Sequence, residues 1–371
     1  MQKNVAIVGG GLAGLTAAIC LSRQGISCTV FEKRKYPFHR VCGEYVSNEA
    51  KPFLQSLGVF PAHLEPPSIH RFQLSAVNGK YVFLNLDLGG FGISRFAFDN
   101  FLAEKARESD VKILENCEVR EINYHDGEFE LITSTGTFTA GIVIGAYGKR
   151  SKLDFFLNRD FIKKRSPFVG VKYHIRTDFP DDLIALHNFP GGYCGISRVE
   201  NGLTNLCYLV HRDVLRQSGN IAAMEGEVLC RNPLLEQIFK HSEFLFQQPE
   251  TINEISFDIR EPVYNHILMA GDTAGLIAPL CGNGMAMAIH AGKMVSELIH
   301  RYCKEKKSSA WLENEYARQW RALFVRRLRA GRLMQHYLFG SAVSSGIAVN
   351  LALTLPPVAR QLVRLSHGQV F

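Results

Sequence analysis

The run VAIVGGGLAGLTAAICLSRQGISCTVFEK, residues 5–33, constrains the fold more than any other stretch of the chain. An apolar segment reaches three spaced glycines, a helical segment follows, and a second apolar run ends on an acid. Residues 4–8 read as a buried strand, Leu12–Arg23 as a helix closed by Gly25, and Cys28–Phe31 as the next strand. Together they form the opening strand-helix-strand unit of a nucleotide-binding sheet. Gly9 permits the tight turn, Gly11 lets backbone approach a pyrophosphate, and Gly14 lets the helix lie close to the strand. Leu12 and Ala13 open the helix, where unpaired N–H groups and the helix dipole favour an anion. Glu32, 18 residues past Gly14, stands where a carboxylate accepts hydrogen bonds from a ribose diol. This much leaves FAD and NAD both open.

A second glycine turn chooses between them. In HILMAGDTAGLIAPLCGNGMAMAIHAGKM, residues 266–294, a strand over 266–270 ends at Gly271-Asp272. Pro279, Gly282, Asn283 and Gly284 then make a turn before a helix that begins at Met285 and carries small residues at Ala286, Ala288, Ala291 and Gly292. A carboxylate at a strand end binds a ribityl hydroxyl. A glycine turn at a helix start places N–H groups against the side of a flavin where negative charge collects on reduction. FAD is therefore the expected cofactor, held at Gly9, Gly11, Leu12, Ala13, Gly14, Glu32, Gly271, Asp272, Pro279, Gly282, Asn283, Gly284 and Met285.

Composition is that of a globular protein, with 46% hydrophobic and 21% charged residues. The net charge of +7 is unevenly placed: residues 291–371 hold 13 Lys/Arg and 4 Asp/Glu, a balance of +9, which leaves about −2 for the rest. Nucleic acid is thus not expected as a partner. Nine cysteines without a CxxC pair argue against a disulfide framework and a zinc site and for a reducing cytoplasm. The first strand begins within four residues of Met1, so no signal peptide is expected.

With these motifs in hand, the chain resembles FAD-dependent oxidoreductases of the para-hydroxybenzoate hydroxylase and geranylgeranyl reductase superfamily. Besides the two glycine segments, the likeness rests on HRVCGEYVS (39–47), ISRFAFDNFLAEKA (93–106) and VIGAYGKRSKL (143–153). It implies that Arg40 contacts the FAD phosphates and that Arg95, on a strand end, lies near the FAD. Asp272 would reach the ribityl chain and pyrophosphate, and Lys33 and Val119 complete the expected cofactor contacts. The family's Gly-Ala-Asp-Gly is Gly145-Ala146-Tyr147-Gly148 here. Tyr147 keeps hydrogen-bonding capacity and no charge, which leaves the reductant, NADPH or NADH, open.

The implied fold is α/β: a Rossmann-like FAD-binding domain with an inserted antiparallel β-sheet substrate domain and a C-terminal helical segment. The expected boundaries are 1–69, 94–165 and 258–300 for the FAD-binding domain, 70–93 and 166–257 for the substrate domain, and 301–371 for the C-terminal segment. Asn78-Gly79 signals a hairpin within 70–88, and FVGVKYHI, GGYCGISRV, TNLCYLVH and EISFDI read as strands. Residues 188–210 are similar to the Pro-Gly-Gly-Tyr segment of geranylgeranyl-reductase-like proteins, without their Tyr-x-Trp. Tyr193 and Phe189 are candidates for the substrate cavity wall, and Cys281 lies in the turn beside the flavin, where packing is the plainer role. His290 reads as a helix-packing residue and His39 as a solvated loop histidine. The halogenase motif Trp-x-Trp-x-Ile-Pro is missing, since the tryptophans are Trp311 and Trp320, so halogenation is not expected.

Near the C-terminus, six arginines from Arg318 to Arg332 precede an uncharged stretch over 337–359. Serines and Asn350 dilute that stretch, so a helical cap over the cavity is expected rather than a membrane span. A basic stripe beside an apolar helix also suits an anionic membrane surface. The expected activity is NAD(P)H-dependent hydroxylation of a small lipophilic aromatic or polyketide-like substrate through a flavin C4a-hydroperoxide. Reduction of isoprenoid double bonds is the alternative. A non-catalytic flavoprotein, for which Tyr147 is the only support, is a third reading.

Overall fold

A computed structural model describes residues 4–338 and 341–371. The opening unit forms where the sequence places it: β1 (Val5–Val8), α1 (Leu12–Arg23) and β2 (Cys28–Phe31). β1 is the centre of a six-stranded sheet, paired in parallel with β2 on one side and with Ile142–Gly145 on the other. Ile267–Met269 and Lys112–Leu114 extend it in parallel, and Val263–Tyr264 closes one edge antiparallel. Every residue of β1 and of Ile142–Gly145 is buried, as befits parallel strands covered on both faces. α1 lies on one face beneath the helix Gly284–Lys304. A Cβ at Gly292 would lie 2.6 Å from the Ala13 carbonyl oxygen, so the close crossing of these helices needs glycine there. A three-stranded meander, Val119–His125, Glu128–Thr133 and Thr137–Ala140, joins the same core.

The second, nine-stranded sheet is mostly antiparallel. Its hairpin of Ser68–Ser75 and Tyr81–Gly92 turns at Asn78-Gly79, where Gly79 has φ +82°. FVGVKYHI, GGYCGISRV and TNLCYLVH supply the strands Phe168–Arg176, Gly192–Arg198 and Thr204–His211. EISFDI does not form a strand: the edge strand Glu250–Asn253 stops at Glu254, whose φ of +57° turns the chain out of the ladder. Arg95 is not on a strand end either. It is the first residue of the helix Arg95–Glu108, capped by the Ser94 hydroxyl, which accepts from Ala97 N.

The sheet buries both faces differently. Its outer face packs on the short helices Arg212–Ser218, Ile221–Glu227 and Pro233–His241. Part of its inner face is covered by Ala342–Thr354 and Pro356–Ser366. The helix Ser309–Leu338 packs on the first sheet's core through the buried stripe Tyr316, Trp320, Phe324 and Leu328, spaced one helical turn apart, and reaches the second sheet at Gln335, which accepts from Tyr193 OH. Tyr316 OH donates to the Met269 carbonyl (2.6 Å), fixing that stripe on the first sheet.

Candidate active site

The glycine loop shows which of its glycines serve the protein and which faces open space. A side chain at Gly9 would strike the Ala146 carbonyl, and one at Gly14 would strike the Gly9 carbonyl. At Gly11 the nearest atom to a built Cβ is Arg95 Nη2 at 3.4 Å, so this position is open toward an incoming group. Gly11 begins α1 with no capping side chain, leaving the first N–H groups for a ligand. Glu32 closes the loop: its Oε2 accepts from Gly10 N (2.9 Å) and its Oε1 from Arg34 N (3.0 Å). Leu12 and Ala13 are buried at the start of α1, and Lys33 is exposed beside Glu32. Val119 is the buried first residue of the meander.

Three sequence motifs far apart in the chain meet at this loop. Residues 146–147 back Gly9, and Gly148 N donates to Thr273 Oγ1 (2.8 Å). A Cβ at Gly271, whose φ is +62°, would lie 3.1 Å from Ala13 Cβ, which brings Asp272 beside the first turn of α1. The Gly271–Asp272 turn, Gly284, Met287, Ala288 and Trp320 border a narrow crevice of about 10 Å³. The turn Pro279–Cys281 leads to Gly282 in the left-handed region (φ +63°), then Asn283, and the helix opens at Gly284 and Met285 without a capping side chain.

Arg95 and Arg40 converge on one carboxylate. Arg95 binds Asp99 through two bonds of 2.7 Å, and Arg40 Nε donates to Asp99 Oδ2 (3.1 Å). Arg40 also reaches Glu32 Oε2 at 3.2 Å. Burial works against the Arg95 charge, but Asp99 outweighs it and its pKa is raised. Two guanidiniums at the open mouth of the glycine loop suit an anionic diphosphate.

Tyr193 and Phe189 part company. On the strand Leu183–Phe189, Ile184 and Leu186 face the inner side, so Phe189, of opposite parity, faces the outer core against Tyr208. Phe189 is therefore not on the cavity wall. Tyr193 pairs with Asn188 and faces inward, where its hydroxyl accepts from Leu280 N (3.2 Å) and donates to Gln335 Oε1 (3.4 Å). It joins the sheet, the glycine turn and the C-terminal helix, and borders a wide cleft lined also by Phe168, Phe257 and Arg329.

On the other side of the glycine turn lies an apolar cavity of about 100 Å³ that opens to solvent. Its floor is Phe72, Leu74, Leu84, Leu86 and Ile184 of the sheet; its roof is Ala348, Leu351, Ala352, Ala359, Leu362 and Val363 of the C-terminal helices. One end is Leu280, Cys281 and Gly282. Cys281 is buried, and burial pushes its thiol up to about 12, which fits packing and not thiolate chemistry. Tyr45 lies against Gly282 and Gly90 and lines the cavity, and its buried hydroxyl has no hydrogen-bond partner among the described residues.

Sequence reading missed the buried ionic cluster next to this junction. Glu44 is fully buried and pairs with Lys172 Nζ and with His174 Nε2 (2.6 Å), and its Oε1 accepts from Arg95 N (2.7 Å). Burial pushes the Glu44 carboxyl up, and Lys172 and His174 outweigh it and hold it at about 2. The Glu in CGE and the alternation of Lys172 and His174 on one strand were the available signals. His39 belongs to this region and is half-buried rather than freely solvated: its ring stacks on Phe96 at 4.6 Å and packs against Phe246 and His174. Burial first, then Lys172, lowers its pKa to about 4. His290 stacks on Phe371 at 3.9 Å, a packing contact. Tyr147 is turned away from the loop, its hydroxyl donating to Asp154 Oδ1 (3.3 Å), which Arg159 also contacts. All nine cysteines are thiols.

The family model described as an FAD binding domain matches residues 2–328. A tryptophan 2-halogenase of Chondromyces crocatus is 22% identical over 88% of this chain, which spans 66% of that protein, just under two thirds. A digeranylgeranylglycerophospholipid reductase of Methanothermobacter thermautotrophicus is 23% identical, over 92% of this chain and 89% of its own. Among solved structures, the flavin-dependent brominase Bmp2 superposes with a TM-score of 0.81 at 17% identity, covering 100% of this chain and 94% of that one. At such identity the superposition carries the fold and no activity.

Proposed function

This chain belongs to the FAD binding domain family, and from that premise we propose that it is an NAD(P)H-fed FAD oxidoreductase whose substrate is a lipophile with an extended aliphatic part. The residues present fit the cofactor. Gly11 is open where Gly9 and Gly14 are filled by protein, two helix starts lack capping side chains, and Arg95 stands at the loop mouth. Gly11, Leu12, Ala13 and Arg95 would hold the diphosphate, with Glu32 at the ribose and Asp272 toward the ribityl chain. Arg40 would leave Glu32 to join the diphosphate. The turn 282–285 would meet the flavin ring. Bound FAD supplies the redox chemistry; the chain binds, orients and excludes water.

The observation that carries the reading is the aliphatic cavity ending on the glycine turn. Most of that lining gains free energy from burying chain carbons, and its polar side chains are Tyr45 and His367. Reduction of double bonds in an isoprenoid-like lipid is the reading it supports best, and relatives named as digeranylgeranylglycerophospholipid reductases agree with it. Hydroxylation of a lipophilic aromatic ring is the second reading. Tyr45 favours it, because its unpartnered hydroxyl beside the turn would be taken up by a ring bearing one oxygen.

Oxygen dependence separates the two. The purified holoprotein is given NADPH or NADH with a geranylgeranyl lipid or a long-chain alkylresorcinol, with and without air, and products are weighed by mass spectrometry. Reduction predicts anaerobic turnover and a product with two added hydrogens. Hydroxylation predicts turnover only in air and one added oxygen atom. Failure of both nicotinamides to bleach the flavin, with or without lipid, would overturn the enzyme reading.

A further inference from the structure

We propose that the outer face of the C-terminal helices docks on an anionic lipid bilayer. After Tyr316 the sequence runs 55 residues to its end with eight arginines and no Asp, Glu or Lys. The same segment carries many of the molecule's exposed large apolar side chains. Val343 is 73% exposed, Tyr337 65%, Ile347 59% and Leu333 58%.

These residues share faces rather than scatter. On Ser309–Leu338, Arg326, Arg329, Leu333 and Tyr337 follow one another at spacings of three and four, a single exposed stripe whose Arg329, Leu333 and Tyr337 also form one lip of the cleft beside Tyr193. On Ala342–Thr354, Val343 and Ile347 stand one turn apart, opposite the buried stripe Ser345, Ala348, Val349 and Ala352. Four arginines of the segment are spoken for by carboxylates: Arg318 by Glu315, Arg327 by Glu49, Arg332 by Asp258 and Arg364 by Asp87. Arg321, Arg326, Arg329 and Arg360 are exposed and have no carboxylate partner among the described residues.

Charge decides the occupant. Two copies meeting through this face would set unpaired arginines against unpaired arginines with no acid between them. A bilayer supplies both complements at once, anionic headgroups for the arginines and acyl chains for the apolar residues. Among the described residues no single helix is long and apolar enough to cross a membrane, and Ser309–Tyr337 with Ala342–Thr354 reach that mark only as a pair bent by 116°; each packs one face on the protein, so only the outer face is offered to lipid, as in a surface-lying helix. The inner face of the same two short helices is the roof of the aliphatic cavity, so docking sets that roof against the acyl phase. The docking itself rests on the exposed face and holds whichever reaction the flavin carries.

The test uses the FAD-loaded full chain, with flavin absorbance marking protein in the pellet after centrifugation with vesicles. Vesicles of phosphatidylcholine alone are compared with vesicles one third phosphatidylglycerol, at low and high salt. The expected result is pelleting with the anionic vesicles that falls as salt rises. Arg326→Gln with Arg329→Gln should weaken partitioning about fivefold per charge removed. Val343→Asp with Ile347→Asp should abolish it, while circular dichroism melts and flavin content stay at the parent value, as both side chains are exposed. No pelleting at low salt, or pelleting of the Asp variant equal to the parent, overturns the proposal. A dimer in solution that the Asp variant dissolves, without vesicle binding, overturns it in favour of a second copy.

Discussion

Replacing Glu44 with Gln should destabilise the protein by about 3 to 5 kcal/mol, because it strips one partner from a buried ion cluster. Gln keeps the shape of the side chain, yet it leaves the Lys172 ammonium fully buried with no counter-charge. The magnitude has a second route. The Glu44 carboxyl is held at about 2, against an ordinary 4.5. A gap of about 2.5 units corresponds to about 3 kcal/mol of linkage. The sign follows from the depressed folded-state value: this contribution is whole above pH 4.5, fades as pH falls, and is gone below about 2. The parent should therefore lose stability through that window, and the Gln variant should show a flatter acid limb. Urea unfolding of the apoprotein, followed by circular dichroism at pH 7 and in steps to pH 2.5, measures both. Adding Lys172→Met to the Gln variant should restore more than half of the loss, since the unpaired charge goes. A Glu44→Gln variant within about 1 kcal/mol of the parent at pH 7, or no recovery with Lys172→Met, would refute the reasoning.

Further expectations follow from single contacts. Gly11→Ala should leave apoprotein stability within about 0.5 kcal/mol but weaken FAD binding at least tenfold by flavin titration, because the added methyl meets only Arg95 Nη2, in ordinary contact at 3.4 Å, and takes the room of the incoming diphosphate. Gly14→Ala should instead prevent stable folding, because the methyl meets the Gly9 carbonyl. Tyr147→Asp, which restores the family motif, should lower the melting temperature, since it sets a second carboxylate beside buried Asp154. Ala352→Phe should fill the cavity and raise the KM for a long-chain lipid while leaving the flavin spectrum unchanged. Alkylation of the native protein with iodoacetamide, mapped by mass spectrometry, should reach the half-buried Cys42 and Cys230 well before Cys281, whose thiol burial holds at about 12.

The sequence displays the elements whose stability is local. β1, α1 and β2 have the bounds their glycines and apolar runs indicate, because periodicity and turn chemistry are written within a few residues. Parity across the second sheet is less legible. Phe189 sits one residue past Asn188, the neighbour of Tyr193, and that single step sends it to the outer core. EISFDI has a strand's composition and no strand, because Glu254 turns the backbone where pairing would have continued. The short helices between Arg212 and His241 cover a sheet face that composition alone does not reveal.

By itself, then, the sequence determined the nucleotide loop, the second glycine turn, the cofactor they share and the acid-free basic tail, since each depends on residues close together in the chain. Only the tertiary structure decided which residues meet across it. Glu44 finds Lys172 and His174 some 130 residues later. The aliphatic cavity exists because helices after Ser341 close over strands that begin at Ser68. Such pairings are chosen by burial, which rewards any apolar face or counter-charge the fold brings near and leaves no mark in the local pattern of either partner.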